Sequence, residues 1–483
     1  MKDKTIINCH THIFTVDHVP NYFTKKLIPV FYKIFSMNFI KWYYRNCTLR
    51  GNIKLRKRKH QWDKLRFAFL AFFRKTVILN WIYLLVKFLI RWVYKVFSNI
   101  TRLDLWLNKR NKAALERYLT MGRYSVAYKS QAKLFELLKT NYAPGTQFVV
   151  LSMDMEYMDA GRPNYSYLSQ LEELKNLRQK HPELLPFVAV DPRRLAATQE
   201  QPGNKNFENY VKNQLQKNHF SGIKLYPALG YFPFDKNLIS LYKFAAEHQV
   251  PIITHCDEGT VFYRGTKKKE WNRHPILKYS KNQDAQPIPI PLPQAKNYDF
   301  TTNFTHPLNY HCLLDRDLLS QYIPDAPDLS KLKICLAHFG GEKAWEKYDK
   351  DIWNFYNNNI SQASLEDYLK HKNTLTHASR RTIWWNASWL SIIYDLMIKY
   401  ENVYADTSFI LHNEDLYPLL KFILEDNKVK DKILFGTDYY VVSHKNSEKI
   451  LYHHLRSYLG DELFYQISHI NPKRFLRSNF VAY

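Results

Sequence analysis

Eight short runs of apolar and β-branched residues punctuate the chain: TIINCHTH (5–12), QFVVLSM (147–153), LPFVAV (185–190), GIKLY (222–226), PIITH (251–255), KICLAH (333–338), NVYADT (402–407) and KILFGTD (432–438). Amphipathic stretches such as SQAKLFELLKT, YLSQLEELKNLRQKH and LISLYKFAAEH separate several of them at helical spacing. Alternation of this kind is the pattern of βα units around a parallel sheet, and eight strands are what a closed barrel requires. The sequence therefore predicts an α/β chain folded as a (β/α)8 TIM barrel. The long gap from 256 to 332, with PIPIPLP at 287–293, reads as an extended loop.

One segment breaks the alternation. Residues 23–128 hold 24 Lys and Arg against only Asp63, Asp104 and Glu116, a net of +21, so of the +26 carried by the whole chain only +5 belongs to the remainder. The segment is rich in aromatic residues, and its runs FYKIFSMNFIKWYY, WDKLRFAFLAFF and TVILNWIYLLVKFLIRWVYKVF predict two or three helices. Its longest uncharged stretch, Thr76–Val86, is far short of the ~18 apolar residues of a spanning helix. Beyond it Lys87, Arg91 and Lys95 recur every four residues and share one helix face, while Leu85, Phe88, Leu89, Trp92 and Val96 cover much of the rest. An in-plane helix at an anionic membrane surface has this form, and so does a helix packed on the main domain with its basic face in water. The cluster LRKRKH (55–60) comes without a nucleic-acid fold signature, so nucleic acid is not the expected partner. The expected organisation is a barrel from residues 1–22 and 129–483 with a basic, aromatic-rich helical insertion, 23–128, after the first strand. That insertion would open on the catalytic face as a cap or a membrane-surface module.

Four of the eight strands end on a histidine or an aspartate, where (β/α) barrels collect their chemistry. The first ends in His10-Thr11-His12, whose period-two spacing turns both imidazoles inward as a chelating pair. The fifth ends at His255, the sixth at His338 and the eighth at Asp438. Three neutral imidazoles and one carboxylate suit Zn²⁺ or another borderline divalent cation, with a position left open for water. A lone histidine at a strand end is more often a satisfied polar residue, but the joint pattern over four strands is that of a site. Cys9 and Cys256 would face the other way by alternation and pack, and His306 and His311 in THPLNYH read as loop or helix-cap residues.

The stretches INCHTHIF (7–14), VDPRR (190–194), GIKLYP (222–227), PIITHC (251–256), CLAHFGG (335–341), NVYADTS (402–408), ILFGTDY (433–439) and NPKRFL (471–476) carry a further signal. Together they resemble the amidohydrolase superfamily, and more narrowly its amidohydrolase-related branch, which includes aminocarboxymuconate-semialdehyde decarboxylase-like enzymes. The resemblance covers most of the chain outside 23–128. It implies that His10, His12, His255 and Asp438 hold or contact a metal and that His338 stands next to the reacting group. Asn8 departs from the pattern, since many relatives have Asp two residues before the first His; this bears on support of the ligands, not on the ligand set. Relatives with two metals use a carboxylated lysine on the fourth strand as a bridge, a role open to Lys224 that would recruit His255 and His338 to a second ion. The ligand count favours one metal, leaving Lys224 to bind an anionic substrate group or to pair with a carboxylate. Arg193 and Tyr226, with Asp154 and Glu156, could reach substrate from strand ends or could cap helices and stabilise loops.

The reaction expected is hydrolysis of an amide, ester or lactone by metal-activated water. Asp438 would take the water proton and pass it to the leaving group, and His338 would polarise the carbonyl or hold the oxyanion. Non-oxidative decarboxylation or hydration on the same scaffold is the second reading, and a non-catalytic membrane-associated binding protein the third. Expected partners are a small-molecule substrate and, through residues 23–128, an anionic membrane surface. Five cysteines without a C-x-x-C pair, and no signal-peptide pattern at MKDKTIINCHTH, predict a cytoplasmic protein, peripheral on the inner face of the membrane. Liposome sedimentation checks the membrane part: anionic vesicles should pellet the protein and neutral ones should not, whereas equal recovery in the supernatant would leave only the cap.

Overall fold

The computed structural model describes residues 5–26, 32–33, 36–46, 57–61, 63, 119–124, 126–257, 261–280, 285–293, 297–358, 379–440 and 447–481. Among the described residues ten strands are formed: β1 (Ile7–Thr11), β2 (Gln147–Leu151), β3 (Leu184–Ala189), β4 (Gly222–Leu225), β5 (Ile252–His255), β6 (Arg273–Tyr279), β7 (Ile288–Pro291), β8 (Ile334–Ala337), β9 (Val403–Asp406) and β10 (Ile433–Leu434). Eight of them make one parallel sheet in the order β1-β2-β3-β4-β5-β8-β9-β10. The last strand returns to the first. Cys9 N–H donates to Phe435 O at 2.8 Å, Asp438 N–H to His10 O at 2.9 Å, and Thr11 bridges Tyr439 in parallel. The sheet is therefore closed, and the fold is the (β/α)8 barrel that the alternation predicts.

Period-two alternation divides the strand side chains between two layers. Ile7 and Cys9 of β1, Val149 of β2, Phe187 of β3, Ile253 of β5 and Leu434 of β10 come from around the ring and meet one another in the lumen, which Phe475 and Leu476 also enter. Their neighbours Phe148, Val150, Val188 and Ile223 face outward and share a larger cluster with helix residues such as Leu134, Leu138, Leu171 and Leu174. Strand β1 is irregular: its register against β2 shifts between Asn8 and Thr11. Cys9 consequently lies in the lumen with Cys335 instead of facing away from the site, although it is fully buried and does pack. Cys256 does face outward, where its thiol donates to Thr305 O at 3.3 Å.

The gap from 256 to 332 is not an extended loop. Strands β6 and β7 pair antiparallel as a separate ribbon, and helices follow at Leu308–Leu314 and Arg316–Ser320. Pro289 and Pro291 obscure β7 in the sequence because proline cannot donate to a ladder. In a two-stranded ribbon both strands are edges, and the missing donors can face outward.

Most of the insertion, including residues 64–118 and nearly all of two of its three helical runs, lies outside the described residues. Within the first run a helix does form, Met37–Asn46. It buries Met37 and Ile40 and exposes Phe39, Trp42 and Tyr43. Residues 119–124 pack on it so tightly that a Cβ at Gly122 would lie 2.4 Å from Ile40 Cγ2. Tyr124 then stacks on Tyr440 with ring centroids 5.3 Å apart, and Tyr440 packs on Phe14 at 5.9 Å. The end of the insertion thus bears on the barrel rim two residues beyond Asp438. Among the described residues no helix is long and apolar enough to cross a membrane.

Closure of the barrel depends on Gly436, where a Cβ would lie 2.7 Å from His10 Cβ and 3.3 Å from His10 N. Gly436→Ala should cost about 1–3 kcal/mol, as overpacking does. In urea unfolding the midpoint should fall with the slope unchanged, whereas a wild-type midpoint would mean that β1 and β10 are not held this close.

Candidate metal centre

Three buried side chains converge at the C-terminal mouth of the barrel. One ligand atom each from His10, His12 and Asp438 falls within 4.8 Å of the others. Asp438 Oδ1 lies 3.3 Å from His12 Nε2 and 3.7 Å from His10 Nε2. The opposite ring nitrogens are already engaged: His10 Nδ1–H donates to Asp406 Oδ2 at 2.9 Å, and His12 Nδ1–H to Leu151 O at 3.0 Å. Each imidazole therefore turns an Nε2 lone pair towards the Asp438 carboxylate, an arrangement that orients histidine ligands in metal sites. His10 Nε2 is buried without a hydrogen-bond partner. A buried acceptor left so is costly unless a cation or a donor meets it. Two lone pairs and a carboxylate at this spacing fit a divalent ion of the zinc type.

Asp406 organises the remainder. Its carboxylate accepts from His10 Nδ1, from the backbone N–H of His338 at 3.0 Å and of Ser408 at 3.1 Å, and from the Ser408 hydroxyl. With its proton committed to Asp406, Ser408 Oγ accepts from His338 Nδ1 at 2.9 Å. His338 Nε2 then accepts from His255 Nδ1–H at 2.9 Å, which leaves His255 Nε2 as a second buried lone pair without a partner. Both ring nitrogens of His338 are engaged here, so it positions His255. For His338 to donate to a substrate oxygen as expected, His255 would have to release His338 Nε2 and that nitrogen would have to gain a proton. His338 and Asp406 also form a second close group with His10. Asp406 escaped the sequence reading because its run appears to end one residue later, at Thr407, although a carboxylate at a strand end was the available signal.

Electrostatics favour ligation. Burial lowers the imidazolium pKa of His10, of His255 (well below its ordinary value) and of His338, to about 3, so these rings are neutral near pH 7. Burial alone would raise the Asp438 carboxyl, but His12, His338 and His10 outweigh it and hold the group at about 2. Asp406 is likewise held low against burial, chiefly by His10. Of the non-glycine residues with positive φ, His338 (67°), Phe339 (45°), Phe409 (67°) and Asp438 (58°) all sit at this rim, a backbone strain that concentrates at functional sites.

The other expected site residues divide. Lys224 is fully buried, and Tyr226 lies flat on His255 with ring centroids 4.1 Å apart, so both line the same space. Arg193 is bound to Asp191, Nε to Oδ1 at 2.8 Å, and its Nη2 also donates to Leu229 O at 3.0 Å. Asp154 and Glu156 are held by Arg194 at 2.7 and 2.8 Å. Arg193, Asp154 and Glu156 are thus engaged in ion pairs within the loops at the rim. His306 stacks on Trp384 at 3.9 Å while its Nδ1 accepts Leu308 N–H, a cap position; His311 lies inside the helix Leu308–Leu314 and bonds Tyr400.

Behind the ligands lies a buried polar knot. Asn8 accepts the backbone N–H of His10 and donates to Tyr142, Thr437 and Glu448 at 2.9–3.3 Å. Tyr142 and Thr437 each donate to Glu448 Oε1 at 2.6 Å. Asn8 thus ties the residue before Asp438 to the strand bearing the histidines.

No family model matches the chain, and no curated protein matches it. Among solved structures it is similar to an uncharacterized TIM-barrel protein from Bordetella bronchiseptica, at 14% identity, with 73% of this chain and 84% of that chain covered and a TM-score of 0.38.

The knot has a pH signature. Burial raises Glu448 from 4.5 to about 7 despite the hydrogen bonds from Thr437 and Tyr142. The folded state therefore holds a proton that the unfolded chain has released, and this contribution to stability is full below pH 4.5 and disappears as pH rises through about 7. Relative to metal-free wild type, metal-free Glu448→Gln should lose that downward trend, a difference on the order of 2–3 kcal/mol across the window. Urea unfolding on either side of the window measures it, and parallel pH profiles would show that Glu448 titrates normally.

Proposed function

We propose that the protein is a metal-dependent hydrolase of the amidohydrolase type. It would hold one divalent ion, zinc in the first instance, on His10, His12 and Asp438, with His255 as the further nitrogen donor. The observation that carries this reading is the buried His10, His12 and Asp438 group within 4.8 Å, whose His10 Nε2 has no hydrogen-bond partner. When bound, the ion would supply Lewis-acid chemistry, polarising a carbonyl oxygen and acidifying water.

The chain's own residues do the rest. Asp438 accepts a proton from the attacking water at a carboxylate oxygen. Held near 2, it keeps that proton only transiently and hands it to a more basic leaving amine or alkoxide. Asp406 and Ser408 fix the tautomers of His10, His338 and, through His338, His255. Tyr226 forms a flat wall beside the reacting carbonyl. The end of the insertion, with Tyr124 on Tyr440 and Tyr440 on Phe14, caps the mouth and limits water; an anionic membrane surface is the partner we propose for the basic residues of 23–128.

Metal analysis of purified protein tests the reading. Wild type should carry one divalent ion per chain, His10→Ala should lose it, and Asp438→Ala should lose most of it together with turnover of activated esters or lactones by about 10²–10⁴-fold. Equal metal in all three proteins, or none in wild type, would remove the site. Release of carbon dioxide from aromatic carboxylates with esters and amides left intact would replace hydrolysis by decarboxylation.

A further inference from the structure

Lys224 stands on β4 opposite Ile253 of β5, two residues before His255, with no exposed surface. Its Nζ makes no hydrogen bond. It lies 5.7 Å from the centroid of the Tyr226 ring, which covers His255, and its charge bears on Asp406 and Asp438 as well as on His10, His255 and His338. The ammonium therefore shares the lumen with the two imidazole lone pairs that also lack partners. Burying a charged amine without a partner is expensive, by several kcal/mol for an ion in a protein interior, so an anion is the natural complement.

We infer that Lys224 is the anchor for an anionic group of the substrate, and that the substrate class is a small amide, ester or lactone bearing a carboxylate near the scissile bond. The inference rests on the metal-centre reading and deepens it. Lys224 is a specificity-determining residue in this arrangement: it places the carboxylate on the β4 side of the lumen, against the Tyr226 wall, while the carbonyl faces His10, His12 and Asp438. A neutral analogue would leave the ammonium uncompensated, so discrimination arises from the penalty of an unpaired buried charge.

Binding of acetate and of its neutral counterpart acetamide tests this, by calorimetry and thermal shift, on wild type with and without metal and on Lys224→Met. Wild type should bind acetate and not acetamide, and Lys224→Met should keep the wild-type metal content while acetate affinity falls at least about tenfold. Acetate binding to Lys224→Met as tight as to wild type would overturn the assignment. So would an intact native mass showing carbon dioxide added at Lys224, because a carbamate is an anion and leaves no ammonium to hold a carboxylate. Where Lys224→Met does not fold, the wild-type comparison decides alone, and equal effects of acetate and acetamide overturn the assignment. Should wild type hold no metal, the metal-centre reading fails. The metal-free protein, with no ion to attract the carboxylate, then upholds the Lys224 assignment by preferring acetate or overturns it by showing no preference.

Discussion

Closure of the sheet between its last and first strands is the constraint on which the site depends. The backbone bonds that join Phe435 to Cys9 and Asp438 to His10 complete the ring, and the same few bonds set the Asp438 carboxylate beside two imidazoles. Fold and chemistry are thus held by one seam. Its tightness is visible in Gly436, which lets the strands approach, and its cost in the left-handed backbone of Asp438. A barrel that stacked its strands less closely would have the same residues in the same order without bringing their ligand atoms together.

Asp406 turns that proximity into a defined protonation pattern. One carboxylate accepting from His10, from Ser408 and from the His338 backbone settles which nitrogen carries the proton on three rings, two of them by relay. Low local dielectric strengthens such a network and penalises any break in it. The acidic residue that matters most for ligand geometry is therefore one that need not touch a metal.

Much of this was legible in the sequence, for identifiable reasons. Eight runs alternating with helical stretches specify a barrel, and a barrel gathers strand ends, so His10, His12, His255, His338 and Asp438 could be placed together before any coordinates. What stayed hidden were features that alternation does not encode. The irregular register of β1 sends Cys9 and the histidines into the same lumen. Asp406 lies one residue short of the apparent end of its run. Proline masks β7 as loop. The second arginine of VDPRR takes the carboxylates after β2 while the first turns back on Asp191, because residues two apart at a helix start can close on each other, and sequence order alone does not report such pairing.

The division of the ligands along the chain has a temporal consequence. His10 and Asp406 stand 396 positions apart, and Asp438 is later still. During synthesis the two histidines of β1 emerge long before their carboxylate partners, so the nascent amino-terminal segment can offer only an unsupported pair of imidazoles. The complete group of ligand atoms exists only once the last barrel strand has closed on the first, so an ion held by it would be taken up late, after the barrel has formed.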